Sequence, residues 1–300
     1  MERASEHVPV LLKEVVELAS PRPGMSVIDG TLDGGGHAAE MLSRIGPEGK
    51  FLGIDLDAAV LEDTAKRLSG LFADVSQMQF VHGNFADTAA IAEKNSFPLA
   101  DILLLDLGFS SVQLVGKGMS FLYDEPLDMR FDPKENSPTV AWVVNTFPED
   151  RLAKIFSEFG NERYAYRVAR CVVEARKEKV IASTSDLVRI ITRAVPKGYE
   201  RGRIHPATRV FQALRIFVNG ELDNLTRIIS DLPHLLKSGG VALVISFHSL
   251  EDRIVKNAFR NYAKSGEFTL LTKKPITSTE EEVAENPQSR SAKLRGIRRN

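Results

Sequence analysis

Short apolar runs alternate with helical patterns through the first third of the 300-residue chain. Three of the runs, at 25–29, 51–55 and 101–106, end in an aspartate, and a fourth lies at 78–82. Between the runs, apolar residues recur every three or four positions, which is the spacing of one helix face. Strands that are apolar throughout must be covered by helices on both sides. The alternation therefore predicts a parallel β-sheet in an α/β fold.

The sequence changes character after Asp106. Residues 108–138 are rich in Gly, Pro, Ser and Asp, show no clear period, and predict an ordered loop. Residues 147–195 follow helical spacing and carry basic residues on the polar face. The apolar alternation resumes near Pro206 and leads to a fifth predicted strand at 241–246.

These patterns predict one α/β core interrupted by an insertion. The core is expected to comprise residues 1–111 and 207–300, and the insertion, which is mainly helical, residues 112–206. The last residues, 286–300, contain five Lys and Arg and no acid. They predict a basic C-terminal tail that is mobile until it meets a partner.

The net charge of −1 conceals a strongly basic segment. Residues 151–215 carry 15 Lys and Arg against six acids, which is a net charge of +9. A segment of this kind suits a polyanionic partner such as a nucleic acid. A solvated helical face that is balanced by acids elsewhere explains the charge equally well. Charge alone leaves both interpretations open.

Composition argues against several other protein classes. Cys171 is the only cysteine, so no disulfide framework is possible, which fits a reducing cytosol and a cytoplasmic protein. The first residues carry no apolar signal segment, and the longest apolar runs are too short to cross a bilayer, so no membrane association is expected. The six histidines show no paired spacing, so no metal is expected.

A glycine cluster, Asp29-Gly-Thr-Leu-Asp-Gly-Gly-Gly-His37, lies between the first predicted strand and the first helix. Glycines at such a turn let the backbone approach a ligand closely, and the helix N-terminus offers free N–H groups. Gly34, Gly36 and Ala39 satisfy the spacing of a dinucleotide fingerprint. The match is weak by itself, because a tight turn without any ligand has the same composition.

Asp55 strengthens the prediction of a nucleotide site. It ends the second predicted strand, 19 positions past Gly36, where an acid can hold both hydroxyls of an adenosine ribose. Enzymes that use NAD and enzymes that use S-adenosylmethionine share this geometry, so it indicates an adenosine-containing ligand and leaves the reaction open. Asp57 follows two residues later and is expected to be either a solvated residue or a helix cap.

Two further residues follow neighbouring strands. Phe85 comes after the third strand, where its ring is expected either to stack on an adenine or to fill the core. Asp106 ends the fourth strand, and the carboxyl end of such a strand is where open α/β sheets bind ligands. A carboxylate at this position is expected to face the amine or the sulfonium of a ligand.

Four long motifs together resemble one family, the bacterial small-subunit ribosomal RNA (cytosine-N4)-methyltransferases known as RsmH or MraW. The resemblance runs from His7 to Arg295, nearly the whole chain. Each motif has a low chance frequency, unlike the glycine fingerprint. They are Asp106-Leu-Gly-Phe-Ser-Ser-x-Gln113-Leu, Pro126-Leu-Asp-Met-Arg-Phe-Asp132, His205-Pro-Ala-Thr-Arg-Val-Phe-Gln-Ala-Leu-Arg215 and Ile245-Ser-Phe-His-Ser-Leu-Glu-Asp-Arg-Ile-Val-Lys256.

The resemblance implies a Rossmann-like, class I S-adenosylmethionine-dependent methyltransferase core with an inserted helical RNA-recognition domain. It implies that the substrate is a cytidine of 16S rRNA in the small ribosomal subunit, methylated on its exocyclic N4 amine. Asp106 would orient that amine or serve only the cofactor. The cofactor positions that carry over are Gly35, Gly36, His37, Asp55, Phe85, Asp106 and Gln113.

The effect of Asp33, which departs from the family pattern, is not determined by the sequence. Two alternative functions also remain open. Asp33 stands where the family more often has glycine, and an extra carboxylate near the methionine end could alter cofactor affinity. The first alternative is an NAD(P)-dependent oxidoreductase on the same sheet, although the sequence offers no recognisable hydride-transfer site. The second is a non-catalytic RNA-binding protein, although Asp55 and Asp106 are both intact.

Overall fold

The computed structural model describes residues 9–72, 77–108, 116–133, 137–199 and 204–300. Its strands, in chain order, are β1 Ser26–Asp29, β2 Lys50–Asp55, β3 Met78–His82, β4 Ala100–Asp106, β5 Leu236–Ser246, β6 Phe268–Leu270 and β7 Lys293–Arg299. The helices are α1 Leu12–Ala19, α2 Gly36–Ile45, α3 Ala58–Leu71, α4 Thr88–Lys94, α5 Val140–Thr146, α6 Glu149–Gly160, α7 Ala165–Glu178, α8 Thr184–Ala194, α9 Thr208–Asn219, α10 Glu221–Leu235, α11 Ser249–Ser265 and α12 Glu280–Glu285.

The chain forms two compact units. The first contains Met1–Ser110 and Leu222–Asn300, and the second contains Ser111–Glu221. The predicted boundary assigned residues from 207 onward to the α/β core, but α9 belongs to the second unit. The reason is the apolar face of α9, where Val210 and Leu214 are fully buried among the helices of that unit. An apolar helical stripe does not reveal which core it faces.

The first unit is built on a seven-stranded sheet with the order β3-β2-β1-β4-β5-β7-β6. Strands β1 to β5 are parallel, as the alternating apolar runs predicted, so the predicted α/β core is confirmed. Neighbouring side chains on a strand point to opposite faces. Val27 accordingly packs in one apolar cluster and Ile28 in another, and both are fully buried. The sheet is thus covered on both faces.

The parallel register brings the carboxyl ends of the strands to one edge of the sheet. Asp55 at the end of β2 lies opposite His82 at the end of β3. Asp29 ends β1 opposite Gly53, and Asp106 ends β4 opposite Ile245. Polar residues that are far apart in sequence are therefore neighbours at this edge.

The prediction of a mobile basic tail is wrong. Residues of the tail form β7, which pairs antiparallel with β5 on one side and with β6 on the other. Leu294 and Ile297 are fully buried, and Arg295 is held by Asp252 with 2.7 Å between Arg295 Nε and Asp252 Oδ1. Because β7 contains several arginines, its buried apolar residues were not recognised as a strand in the sequence. The charge count therefore predicted a mobile tail, whereas this segment is a strand of the sheet.

Ile297→Ala is expected to lower the free energy of unfolding by about 3 kcal/mol, because it removes a fully buried side chain from the sheet. Arg298→Ala, at the exposed neighbouring position of the same strand, is the matched control and should change stability by less than about 0.5 kcal/mol. Urea unfolding of the full chain measures both. Equal, negligible effects of the two substitutions would support a mobile tail after all.

The second unit has a helical core of its own. Helices α5 to α9 bury an apolar cluster that includes Val143, Phe156 and Val168. Asn219, at the end of α9, ties the preceding loop to this core, since its side chain donates to Met129 O at 2.8 Å and accepts from Phe131 N at 2.9 Å. Within the described ranges, none of the helices is both long enough and apolar enough to span a membrane.

Candidate active site

The loop between β1 and α2 approaches its neighbours too closely for most side chains. A Cβ on Gly30 would lie 2.6 Å from Leu105 Cδ2, and a Cβ on Gly36 would lie 2.9 Å from the Pro9 ring. Gly35 begins α2 with a left-handed backbone at φ +66°. Glycine is therefore required at each position, and the loop presents its backbone and the N-terminus of α2 at the sheet edge.

Asp55 fixes this loop from the neighbouring strand. Its carboxylate accepts from Asp33 N at 2.8 Å and from Asp57 N at 2.7 Å. Burial raises the pKa of Asp55 to about 6; the two backbone hydrogen bonds oppose this shift, and the charges of Asp33 and Asp57 add to it. Asp57 itself caps α3, accepting from Ala59 N at 3.1 Å, which was one of its two predicted roles.

Asp106 lies against the start of α2. Its backbone N–H donates to Thr31 Oγ1 at 2.6 Å, and its Oδ1 accepts from Gly108 N at 3.2 Å. Its Oδ2 lies 3.6 Å from His37 Nδ1. Burial raises the pKa of Asp106 to about 8; the Gly108 hydrogen bond opposes this shift, and the charges of Asp33 and Asp29 add to it.

His37 links this carboxyl group to the N-terminal segment. Its Nε2 lies 3.0 Å from Val10 O, and because a carbonyl only accepts, Nε2 carries the proton in that hydrogen bond. Nδ1 then faces Asp106 Oδ2. The separation of 3.6 Å is longer than a hydrogen bond, so the two groups are neighbours without a direct bond. The sequence motif placed both residues at the site but gave no sign that they contact each other.

Asp29 adds a third buried carboxyl group to the same edge. It is only 2% exposed and accepts from Thr31 N at 3.1 Å. Burial raises the pKa of Asp29 to about 7, and the charges of Asp55 and Asp33 also raise it. Several carboxyl groups that repel one another in a buried place are best stabilised by a cation. The site therefore suits a ligand that carries positive charge.

The structure brings most of the predicted site residues to this edge. Gly35, Gly36, His37, Asp55 and Asp106 line the loop and the strand ends described above. Phe85 is half-buried, and its Cβ lies 3.3 Å from the position of a Cβ on Gly30. Its ring packs against the apolar cluster of one sheet face, so the two predicted roles of Phe85 remain compatible. Gln113 lies outside the described residues.

Sequence reasoning missed two residues of α3 that hold the glycine loop. Thr64 is buried and donates through Oγ1 to Asp33 O at 2.6 Å. Arg67 donates through Nη2 to Gly34 O. The available signal was the hydroxyl of Thr64 within the otherwise apolar stripe of the second helix, which indicates a polar contact at a buried position.

Gly35→Ala is expected to weaken cofactor binding about tenfold or more. The new Cβ would lie 2.6 Å from Thr64 Cγ2 and 3.0 Å from Arg67 Nη2, in a backbone conformation that side chains rarely adopt. Gly46→Ala is the matched control, because Gly46 has a similar φ of +64° but open space around it. Calorimetric titration with S-adenosylmethionine measures both, and equal losses of affinity would contradict the crowding argument.

An aromatic side chain lies beside the Asp106 loop. A Cβ on Gly108 would be 2.9 Å from Phe247 Cζ, so only glycine lets the ring lie this close. The backbone of Phe247 is fixed by Glu251, whose Oε2 accepts from Phe247 N at 2.8 Å while the same carboxylate caps α11. A planar apolar group is thus held next to the buried carboxyl group.

A glycine loop that opens a helix, with an acid at the end of the next parallel strand, defines a Rossmann-like enzyme that binds an adenosine-containing cofactor. The model of the MraW methylase family matches residues 4–300. The chain belongs to the MraW methylase family, and it is a class I, S-adenosylmethionine-dependent methyltransferase. The resemblance noted from the four motifs is confirmed.

Individual relatives agree with this assignment. The chain is 45% identical to the ribosomal RNA small subunit methyltransferase H of Pelobacter propionicus, over 97% of this chain and 98% of that one. It is 42% identical to the protein of the same name from Persephonella marina, over 98% and 99%. In structure it is similar to an rRNA methylase from Streptococcus thermophilus, with a TM-score of 0.45 and 9% identity over 98% of both chains. The oxidoreductase and non-catalytic alternatives are not favoured.

Proposed function

We propose that this protein transfers a methyl group from S-adenosylmethionine to the exocyclic N4 amine of a cytidine in 16S rRNA of the small ribosomal subunit, in the cytoplasm. The observation that carries the proposal is the set of three carboxyl groups beside a glycine loop at one sheet edge, of which Asp29 and Asp55 are buried and Asp106 is 12% exposed. The names of the relatives, which are small-subunit rRNA methyltransferases, supply the substrate.

The residues at this edge fit S-adenosylmethionine. The glycines let the loop pack tightly against its neighbours and present its backbone N–H groups at the sheet edge, and the carboxyl groups favour a positively charged ligand. When bound, the cofactor supplies a methyl group activated by a sulfonium. Asp55 would accept from the ribose hydroxyls, and Asp106 would face the charged end. The proposed cofactor residues are Gly35, Gly36, His37, Asp55, Phe85, Asp106 and Gln113.

Besides binding the cofactor, the enzyme must position the N4 amine of the cytosine. The lone pair of the cytosine N4 is delocalised into the ring, so the rate depends on holding the amine in line and on hydrogen-bond acceptors near it. Asp106 is the proposed acceptor, with His37 fixing its orientation at 3.6 Å. The base must leave its stack to reach the site, and the Phe247 ring beside Gly108 is proposed to hold it.

The helical insertion, residues 112–206, is proposed to recognise the RNA. Its described helices carry many exposed Lys and Arg, and phosphate contacts of such residues position a protein on nucleic acid without reading the sequence. Affinity for RNA should therefore fall steeply as the salt concentration rises.

Methyl transfer to purified subunits tests the proposal. Small subunits that lack the modification are incubated with the protein and labelled S-adenosylmethionine, and the labelled nucleotide is mapped. Label on the N4 of one cytidine is the expected result. Transfer to no nucleotide of the subunit or of free 16S rRNA would overturn the proposal. Calorimetric titration with NAD is the parallel control and should show no binding.

A further inference from the structure

Helix α7 carries an aromatic residue surrounded by arginines on its exposed face. Tyr166, Arg167 and Arg170 have the spacing that places residues on one side of a helix, and Arg163 lies in the turn two residues before the helix begins. Tyr166 is 65% exposed, and the three arginines are exposed as well. We call this set the α7 face. The opposite side of the helix is buried in the core of the second unit through Ala165, Val168, Ala169 and Val172.

The charges of the α7 face are largely uncompensated. Arg170 lies 3.4 Å from Glu149, and the contact is exposed to solvent. No carboxylate of the described residues is within salt-bridge distance of Arg163 or Arg167; Arg163 instead lies over the Tyr164 ring at 5.9 Å. Toward its C-terminus the same helix differs, since Lys177 pairs with Glu174 at 2.7 Å. Arg176, also in the second half, is half-buried and donates to the backbone carbonyls of Val144 and Phe147. Exposed arginines without a close acidic partner therefore lie at the N-terminal end of the helix.

Helix stability does not account for this arrangement. The N-terminus of a helix carries partial positive charge and favours acids in the first turn. The first turn of α7 contains no acid, and the arginines stand at this end. The arginines therefore repel the partial positive charge of this helix end, and a bound polyanion would remove that cost. Beside them, the exposed ring of Tyr166 offers a planar face on which a base can stack.

We propose that the α7 face is a docking surface for an unpaired segment of the RNA substrate. The exposed ring of Tyr166 stacks on one base, and Arg163, Arg167 and Arg170 bind the flanking phosphates. Stacking on aromatic side chains together with arginine contacts to the backbone is how proteins bind single strands. The proposal rests on the proposed function in taking RNA as the substrate, and it adds which surface binds and which form of RNA.

Tyr166→Ala tests the stacking contact. In the full-length protein it is expected to weaken binding of a single-stranded 16S rRNA fragment of about 16 nucleotides by roughly tenfold. Tyr166→Phe keeps the ring and should bind within about twofold of the wild type. Arg163→Gln combined with Arg167→Gln should lower the slope of log affinity against log salt by about 1.4, or 0.7 for each phosphate contact. Lys66→Gln, which removes an exposed lysine of the first unit that pairs with Glu62 at 2.6 Å, is the matched control and should change neither quantity.

Two readouts separate this proposal from the proposed function. S-adenosylmethionine affinity and thermal stability should be unchanged in every variant, while Tyr166→Ala raises the KM for small subunits about tenfold at constant kcat. Wild-type affinity and salt slope in Tyr166→Ala and the arginine variant would overturn the docking surface, whether or not the enzyme methylates subunits. Tighter binding of a duplex fragment than of the single strand would also overturn it. Failure of the wild type to transfer label overturns only the proposed function.

Discussion

Replacing Asp55 by alanine is expected to weaken S-adenosylmethionine binding by at least about 100-fold. A hydrogen bond to a charged group contributes about 1.5–3 kcal/mol, and a carboxylate that holds both ribose hydroxyls makes two. A tenfold change in affinity corresponds to about 1.4 kcal/mol. The same substitution also frees Asp33 N and Asp57 N, which Asp55 holds at 2.8 and 2.7 Å, so the glycine loop loses its anchor. Calorimetric titration measures the loss.

Two further variants make this result interpretable. Asp55→Asn keeps the shape of the side chain but only one acceptor oxygen, so one of the two backbone hydrogen bonds is lost and affinity should fall less severely than in Asp55→Ala. Asp57→Ala removes a helix cap two residues away, so it should cost about 1 kcal/mol of stability and leave cofactor affinity unchanged. If Asp55→Ala bound the cofactor as tightly as the wild type, the assignment of the ribose site would be wrong.

The part of the site that could be predicted from the sequence is the part set by strand ends. An apolar run that finishes in a carboxylate, next to a glycine loop, locates Asp55 and Asp106 because parallel strands align their carboxyl ends. The contact between His37 and Asp106 could not be predicted, since it depends on how α2 lies over the end of β4. Local spacing contains no information on that distance.

Two parts of the fold, α9 and β7, could not be predicted from the sequence, and the physical reason is the same for both. The stripe of α9 shows that the helix is buried, but any apolar core satisfies it. In β7 the alternation is broken by Arg295, whose guanidinium is buried because Asp252 neutralises it. A buried ion pair cannot be recognised until both partners are placed. Prediction from composition therefore fails where the structure depends on which residues contact each other in the fold, and not only on which residues are buried.

Asp106→Asn is expected to lower the rate of methyl transfer by about 10²–10³-fold, which is within the range for loss of a positioned acid–base group. The amide keeps the size of the side chain but removes the negative charge that faces the ligand. Asp101→Asn is the matched control. It lies at the other end of the same strand, where it binds Lys237 Nζ at 2.7 Å, and it should cost stability without slowing transfer.

The pH dependence of stability and of cofactor affinity distinguishes Asp106→Asn from the wild type more sharply than the rate does. Burial raises the pKa of Asp106 to about 8 and that of Asp29 to about 7, from 3.8 in an unfolded chain, so the folded protein without cofactor holds more protons between these values. Its stability is therefore greatest below about pH 4 with respect to these groups and falls as pH rises toward 8, by up to about 1.4 kcal/mol per pH unit for each carboxyl group. Cofactor affinity should change in the opposite direction, because the cation binds the ionised form.

Asp106→Asn should make both pH profiles shallower, and most clearly between pH 7 and 8, where Asp106 holds most of the protons that remain on Asp29, Asp55 and Asp106. Urea unfolding and calorimetric titration across this range measure the two slopes. Asp101→Asn should retain the wild-type slopes. An unaltered slope in Asp106→Asn would mean that this carboxyl group is already ionised in the free protein. The pH dependence of cation binding would then have to come from Asp29 and Asp55, which have pKa values of about 7 and 6.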